Sequence, residues 1–280
     1  MHALWFAGFS EANYGRVRER LHALSMIPVI SLGPPLEHVD VALSAARALG
    51  ARVVRLGLTP VLCGDRAAHG EQWPRMLAHA SATLKEYAPR AADLGIALAI
   101  ENHQDLGSQE LLDLAGEAGA NVGIAFDTGN PLAVGEDILG FARRVAPMVR
   151  HLHLKDYRIQ WTELGYRMVR CAIGDGCVPF AAIARMLEPL CPSLTASLEP
   201  AALEARHIRL FTPEWWHGYP PRTAAELGLC LADARRALLP DSADYRTPWE
   251  RQDPPELLIQ YELEMIQRSA ANMRALGLMQ

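Results

Sequence analysis

Four short apolar runs end on, or carry, residues able to bind a metal or move a proton. They are Glu101 after IALAI, Asp127 after VGIAF, His153 within VRHLHLKDY and Glu199 after LTASL. The first three are evenly spaced, 26 residues from Glu101 to Asp127 and 26 again to His153. Three carboxylates and one imidazole make an oxygen-rich donor set suited to a hard divalent cation. Mn²⁺ or Mg²⁺ fits first, and the single imidazole keeps Co²⁺ and Zn²⁺ open. A substrate with a carbonyl beside a hydroxyl chelates such a cation through both oxygens, and the cation stabilises the charge left when the α-proton departs. A carboxylate within reach removes that proton, giving a metal-bound enediolate, and a second carboxylate returns it. Return to the opposite face is epimerisation, return to the neighbouring carbon is aldose–ketose isomerisation, and loss of a β-hydroxyl is dehydration.

Those side chains meet only if the backbone brings them together. The runs are rich in Ile, Val and Leu, which reads as strands buried on both faces. Between them, SQELLDLAGEAGA and GEDILGFARRVAPM carry apolar residues at helical spacing. Strand and helix in alternation predict parallel neighbours joined by crossover helices. Each candidate ligand then sits at a C-terminal strand end, the face of a parallel α/β barrel where chemistry is done. His151 and His153 are two apart and point the same way on a strand. His153, nearer the strand end, is the better ligand, with His151 a buried, hydrogen-bonded residue below it. Lys155 is one step higher, and His103 stands to Glu101 as Lys155 stands to His153. Both are candidate substrate contacts.

The strings ALAIENH, GIAFDTGNP, HLHLKDY, the IGDG turn and SLEP, in that order, resemble the xylose-isomerase-like (AP-endonuclease-2-like) TIM barrels, the sugar isomerase and epimerase group. The resemblance covers about Pro28 to Pro200. It implies a TIM-type (β/α) barrel and places Glu101, Asp127, His153 and Glu199 as metal ligands, with Glu101 and Glu199 as the acid/base pair. The implied activity is divalent-metal-dependent isomerisation or epimerisation of a sugar or sugar derivative. A lyase of the same superfamily, an inosose-type dehydratase or a keto-glycoside deglycosidase, is the alternative. Many members carry His three residues after the Asp, where it helps to hold substrate. This chain has Asn130 there, a departure at an expected substrate contact. A DNA-repair role would call for more histidines and a basic face, and neither is evident.

Composition sets the frame. A chain of 280 residues fits one large α/β domain. Half the residues are hydrophobic and 21% charged, ordinary for a globular protein. A net charge of −5 with scattered basic residues argues against nucleic acid as a partner. No apolar run approaches membrane-spanning length, and the start lacks a basic region before a hydrophobic one. Five cysteines without zinc-like pairing fit a reduced, cytoplasmic setting.

Strands are expected near residues 5, 29, 55, 99, 125, 151 and 197, seven where a closed barrel has eight. The expectation is a barrel that lacks the first βα unit, spanning residues 1–204, with an extension over 205–280 that ends in a long helix and packs on the barrel or at an oligomer interface. A homo-oligomer is the first expectation. A hetero-oligomer, with a partner completing a non-catalytic barrel, is the alternative from another class. YRIQWTELGYRMVRCAIGDG reads as a hairpin bent at Gly165, walling the mouth. The Gly174-Asp175-Gly176 turn before a helix leaves phosphate binding open. Trp215 and Trp216 are read first as packing residues.

Overall fold

The computed structural model describes residues 1–191, 194–201 and 203–278. Helix α1 (Glu11–Ala23) leads into strand β1 (Ile30–Leu32), and α2 (Val39–Leu49) leads into β2 (Val53–Leu56). Then come α3 (Gln72–Asp93), β3 (Ala97–Glu101), α4 (Ser108–Ala118), β4 (Val122–Asp127), α5 (Ile138–Val145) and β5 (Val149–Leu154). A hairpin, β6 (Asp156–Thr162) and β7 (Gly165–Cys171), interrupts the alternation before α6 (Phe180–Leu187) and β8 (Thr195–Leu198). The six strands β1-β2-β3-β4-β5-β8 lie side by side in that order, all parallel, as half of a barrel.

The strand expected near residue 5 is a 3-10 helix over Ala3–Phe6. Its apolar residues do not alternate as a strand face would. Ala3 and Phe6 are buried while Leu4 and Trp5 are exposed, a spacing of three that suits a 3-10 turn. Phe6 then packs on Phe9 and Tyr14. Only the first two residues run beside β1, through the Met1 carbonyl, which accepts from the Ser31 N–H at 2.8 Å, and a bridge from His2 to Ser31. Among the described residues the parallel strands number six.

The two faces of the sheet differ in chemistry. Ile30, Leu32, Val54, Leu56, Leu98, Ile100, Ile124 and Phe126 are buried. They alternate along the strands and face the crossover helices, where Phe126 stacks on Phe141 of α5 with ring centroids 5.7 Å apart. Their neighbours, turned to the barrel interior, are small or polar: Ser31, Arg55, Ala99, Glu101, Ala125, Asp127, His151 and His153. The apolar core thus lies between sheet and helices, and the interior is left to a polar network.

Register delivers the ligands. A bulge between Ile124 and Ala125 inserts one residue of β5, so that Ile124 pairs with Val149 but Ala125 with His151 and Asp127 with His153. Without it Asp127 would face Leu152, because a one-residue slip turns every side chain to the other face. Gly123 makes room for it: a Cβ there would lie 2.5 Å from Arg150 Cγ and from the Met148 carbonyl oxygen.

After β8 the chain adds β9 (Arg206–Ile208) to the antiparallel hairpin, then α7 (Ala224–Ala234) and α8 (Pro255–Ala275). The boundary drawn at 204/205 therefore falls just before a strand that extends the hairpin sheet. Trp215 is buried, donates to the Cys63 carbonyl at 2.9 Å and stacks on Tyr219 at 4.8 Å. Trp216 donates to the Leu210 carbonyl at 2.8 Å. The indoles thus pack, and Arg66 sits between the rings of Trp73 and Tyr219. Helix α8 docks through Ser269, which donates to Met265 O and accepts from the Ile173 N–H. Among the described residues no helix is long and apolar enough to cross a membrane.

Candidate metal centre

Glu101, Asp127, His153 and Glu199 converge. One donor atom from each lies within 4.8 Å of all the others. Metal–ligand bonds of about 2.0–2.2 Å separate opposite donors by roughly 4.4 Å at most, so only a small contraction would close the set around one cation.

Each donor is held by its strand end. Glu101 closes β3 with no exposed side-chain surface. It accepts from Arg55 at 2.5 Å on one oxygen and lies 2.6 Å from His153 Nδ1 with the other. Asp127 closes β4, and its Oδ1 accepts the N–H groups of Gly129 and Asn130 at 3.1 and 3.2 Å, turning Oδ2 toward the centre. Glu199 follows β8, its N–H donating to the Leu154 carbonyl at 3.2 Å. Its Oε2 is 3.2 Å from His153 Nδ1 and 2.8 Å from Lys155 Nζ, and Oε1 is 3.5 Å from Arg170. Lys155 Nζ also lies 2.6 Å from Asp127 Oδ2.

Two of these oxygens carry the signature of a cation site. Asp127 Oδ2 and Glu199 Oε2 are buried and receive no aligned hydrogen bond, although the Lys155 ammonium is close to both. The ammonium, 2.6 and 2.8 Å away, marks a place where these two oxygens favour positive charge. Burial pushes the Asp127 carboxyl above its usual pKa, and the charges of Glu101 and Glu199 add to this against the pull of Lys155. A second cation would relieve that repulsion, so the residues fit a divalent metal. Burial also works against the ionised forms of Glu101 and Glu199, yet their partners prevail. His153 and Arg55 hold Glu101 well below the carboxylate range, and Lys155, His153 and Arg170 hold Glu199 at about 2.

The other expected residues divide. His103 is half-buried beside the centre, where burial lowers its pKa, and its ring makes no hydrogen bond among the described residues. Lys155 is fully inside the centre. Asn130 is buried and already engaged: its Oδ1 accepts from Gln104 at 3.3 Å and Tyr157 at 3.2 Å, and its Nδ2 donates to the Asn102 carbonyl at 3.0 Å. His151 lies between Thr195 and Ser197 at 2.8 and 2.9 Å, as a hydrogen-bonded residue below the ligand. At the Gly174–Gly176 turn the amides of Gly174, Gly176 and Val178 donate to the Asp156 carboxylate, which takes the place a phosphate would need.

Sequence reasoning missed Arg55 and Arg170. The signal for Arg55 was an arginine inside the apolar run RVVRLGL, since a cation in a buried strand demands an anion opposite. Arg170 gave no comparable signal, because the hairpin reaches Glu199 only in three dimensions.

A half-barrel of parallel strands with four donors at its C-terminal rim defines a class. The sequence model of the xylose isomerase-like TIM barrel family matches residues 34–212, well over half of the chain, and the protein belongs to that family. Among curated relatives it is 32% identical to the uncharacterised protein YihM of Escherichia coli (strain K12) over 92 residues, 32% of this chain and 28% of that one. It is 27% identical to inosose dehydratase of Clostridium beijerinckii over 147 residues, 46% and 47% of the two chains. The chain thus matches less than half the length of either. A D-psicose 3-epimerase crystal structure superposes with a TM-score of 0.56 at 19% identity, covering 85% of each chain, and this likeness concerns the fold.

Proposed function

We propose that this protein is a divalent-metal-dependent isomerase or epimerase of a sugar or sugar derivative that works by abstracting a proton α to a carbonyl. The observation that carries the reading is the convergence of Glu101, Asp127, His153 and Glu199, with two buried acceptor oxygens left free of aligned donors. These four residues would hold the cation, Mn²⁺ first on the hardness of the donors, with Mg²⁺, Co²⁺ or Zn²⁺ as alternatives. When bound there, such an ion would polarise the substrate carbonyl and stabilise charge at the deprotonated carbon.

The chain's own residues supply the rest. Glu199, with 31% of its side chain exposed, is the carboxylate a substrate reaches first and serves as the base. Glu101, immobilised by Arg55 and His153, works from the opposite side of the acid/base pair. Lys155 meets a substrate hydroxyl or developing oxyanion, and His103 offers a free imidazole at the mouth. Asn130 acts by holding the β3 and β4 ends in place. The β6–β7 hairpin walls the mouth and limits water.

A dehydratase is the second reading, favoured by the partial match to inosose dehydratase. The same proton abstraction would then end in loss of a β-hydroxyl. Elemental analysis of the purified protein and incubation with ketoses and inososes in D₂O test both. Stoichiometric metal with deuterium incorporated at a sugar carbon is expected. Loss of water would favour the dehydratase, and absence of both metal uptake and exchange would overturn the enzymatic reading.

A further inference from the structure

The C-terminal extension touches the metal centre through one turn of backbone. Trp215 and Tyr219 lie beyond residue 212, where the family match ends. The Trp215 indole donates to the Cys63 carbonyl at 2.9 Å, and the Tyr219 hydroxyl donates to the Gly64 carbonyl at 3.0 Å. The turn fits closely between these two stacked rings and the 130–134 segment. A Cβ on Gly64 would lie 2.2 Å from the Ala133 carbonyl oxygen and 2.4 Å from the Trp215 ring.

Gln104 holds the other side of the same turn. The Cys63 N–H donates to Gln104 Oε1 at 3.0 Å, and the Gly64 N–H donates to the Gln104 carbonyl at 2.9 Å. Both carbonyls of the turn thus go to the extension and both N–H groups to Gln104. Cys63 and Gln104 have φ of +58° and +98°. A side chain keeps such a backbone only where its surroundings impose it. Gln104 is buried, and its side chain continues to the site. Its Nε2 donates to Asn130 Oδ1 at 3.3 Å, and the Asn130 N–H donates to Asp127 Oδ1 at 3.2 Å, one of the two bonds that turn Oδ2 toward the centre.

We infer that Gln104 is a positioning residue for the metal ligand Asp127, and that the C-terminal extension, through Trp215 and Tyr219, holds Gln104 in the conformation that does so. This rests on the functional reading above and adds to it a control of metal affinity from outside the matched barrel. Groups that hydrogen-bond around a metal ligand typically change metal affinity by about 10- to 100-fold when removed. The test is calorimetric titration of the full chain with Mn²⁺, beside urea unfolding of the same metal-free samples. Gln104→Met keeps the side-chain length, loses both side-chain hydrogen bonds and should weaken Mn²⁺ binding about 10-fold. Trp215→Phe/Tyr219→Phe keeps two rings, loses both donors to the turn and should weaken Mn²⁺ binding by a smaller factor. Adding that pair to Gln104→Met should weaken it no further, because contacts that act in one chain are not additive. A ring pair that only packs would lower the urea midpoint and leave the Mn²⁺ Kd unchanged. An unchanged Kd, or losses that add in the triple variant, overturns the proposal. Should Gln104→Met not fold, the Kd of the ring variant alone decides. No Mn²⁺ uptake by the unaltered chain overturns the functional reading, and this one with it.

Discussion

Glu101 and Glu199 are the same residue type at equivalent strand ends, yet they live in different surroundings. Glu101 lies on the floor, with no exposed surface, between Arg55 and His153. Glu199 lies on the rim, 31% exposed, beside Lys155 and Arg170. The floor is made by β3, β4 and β5, whose neighbours on both sides are paired. The rim is made by β8, at the end of the sheet, and by the hairpin. The difference teaches that one carboxylate is fixed by the architecture on every side, whereas the other is left partly open at the mouth.

Substitution separates the two. Both Glu199→Gln and Glu101→Gln are expected to lower turnover by about 10³-fold, the range of a positioned acid or base, or about 4 kcal/mol. Steady-state rates on the D₂O-positive substrate check this, and an active Glu199→Gln enzyme would remove Glu199 from the chemistry. Stability should split them. Glu101→Gln leaves Arg55 without its carboxylate and should cost about 3–5 kcal/mol in urea unfolding, while Glu199→Gln should cost less, because Glu199 is 31% exposed and Lys155 keeps Asp127 as a partner. Restoring balance with Glu101→Gln/Arg55→Met should recover part of that loss, a coupling that distant residues would not show.

Metal should hold floor and rim together. Mn²⁺ at a hundred times its Kd is expected to stabilise the fold by about 2.7 kcal/mol, reversed by a chelator. Asp127→Asn should abolish the thermal shift, and a shift that persisted would place the ion elsewhere. The smallest effect belongs to His103→Asn, which changes stability by less than about 0.5 kcal/mol and raises KM several-fold with little change in kcat. An unchanged KM would leave His103 as a rim residue.

Much of the floor was legible in advance. The even interval between Glu101, Asp127 and His153, and the strand-like run before each, put three donors on successive parallel strands, and β8 added Glu199. The helices expected in SQELLDLAGEAGA and GEDILGFARRVAPM, and the long one that ends the chain, are found as α4, α5 and α8. The strand expected near residue 5 is not found, since Leu4, Trp5 and Phe6 satisfy a strand pattern locally while only Ala3 and Phe6 find something to pack against. Reading the strands as buried on both faces caught their burial but not the split between an apolar outer face and a small, polar inner one.

Sequence alone determined which residues could act and that each would end a strand, because residue type and period are local properties. Tertiary structure decided that Arg55, Lys155 and Arg170 neutralise those carboxylates, that a bulge beside Gly123 turns His153 toward Asp127, and that Asn130 is engaged in holding strand ends. Each of these depends on which side chains, remote along the chain, share a few ångströms of space from which water is shut out, and there the strength and pairing of charges are set by surroundings that no local pattern records.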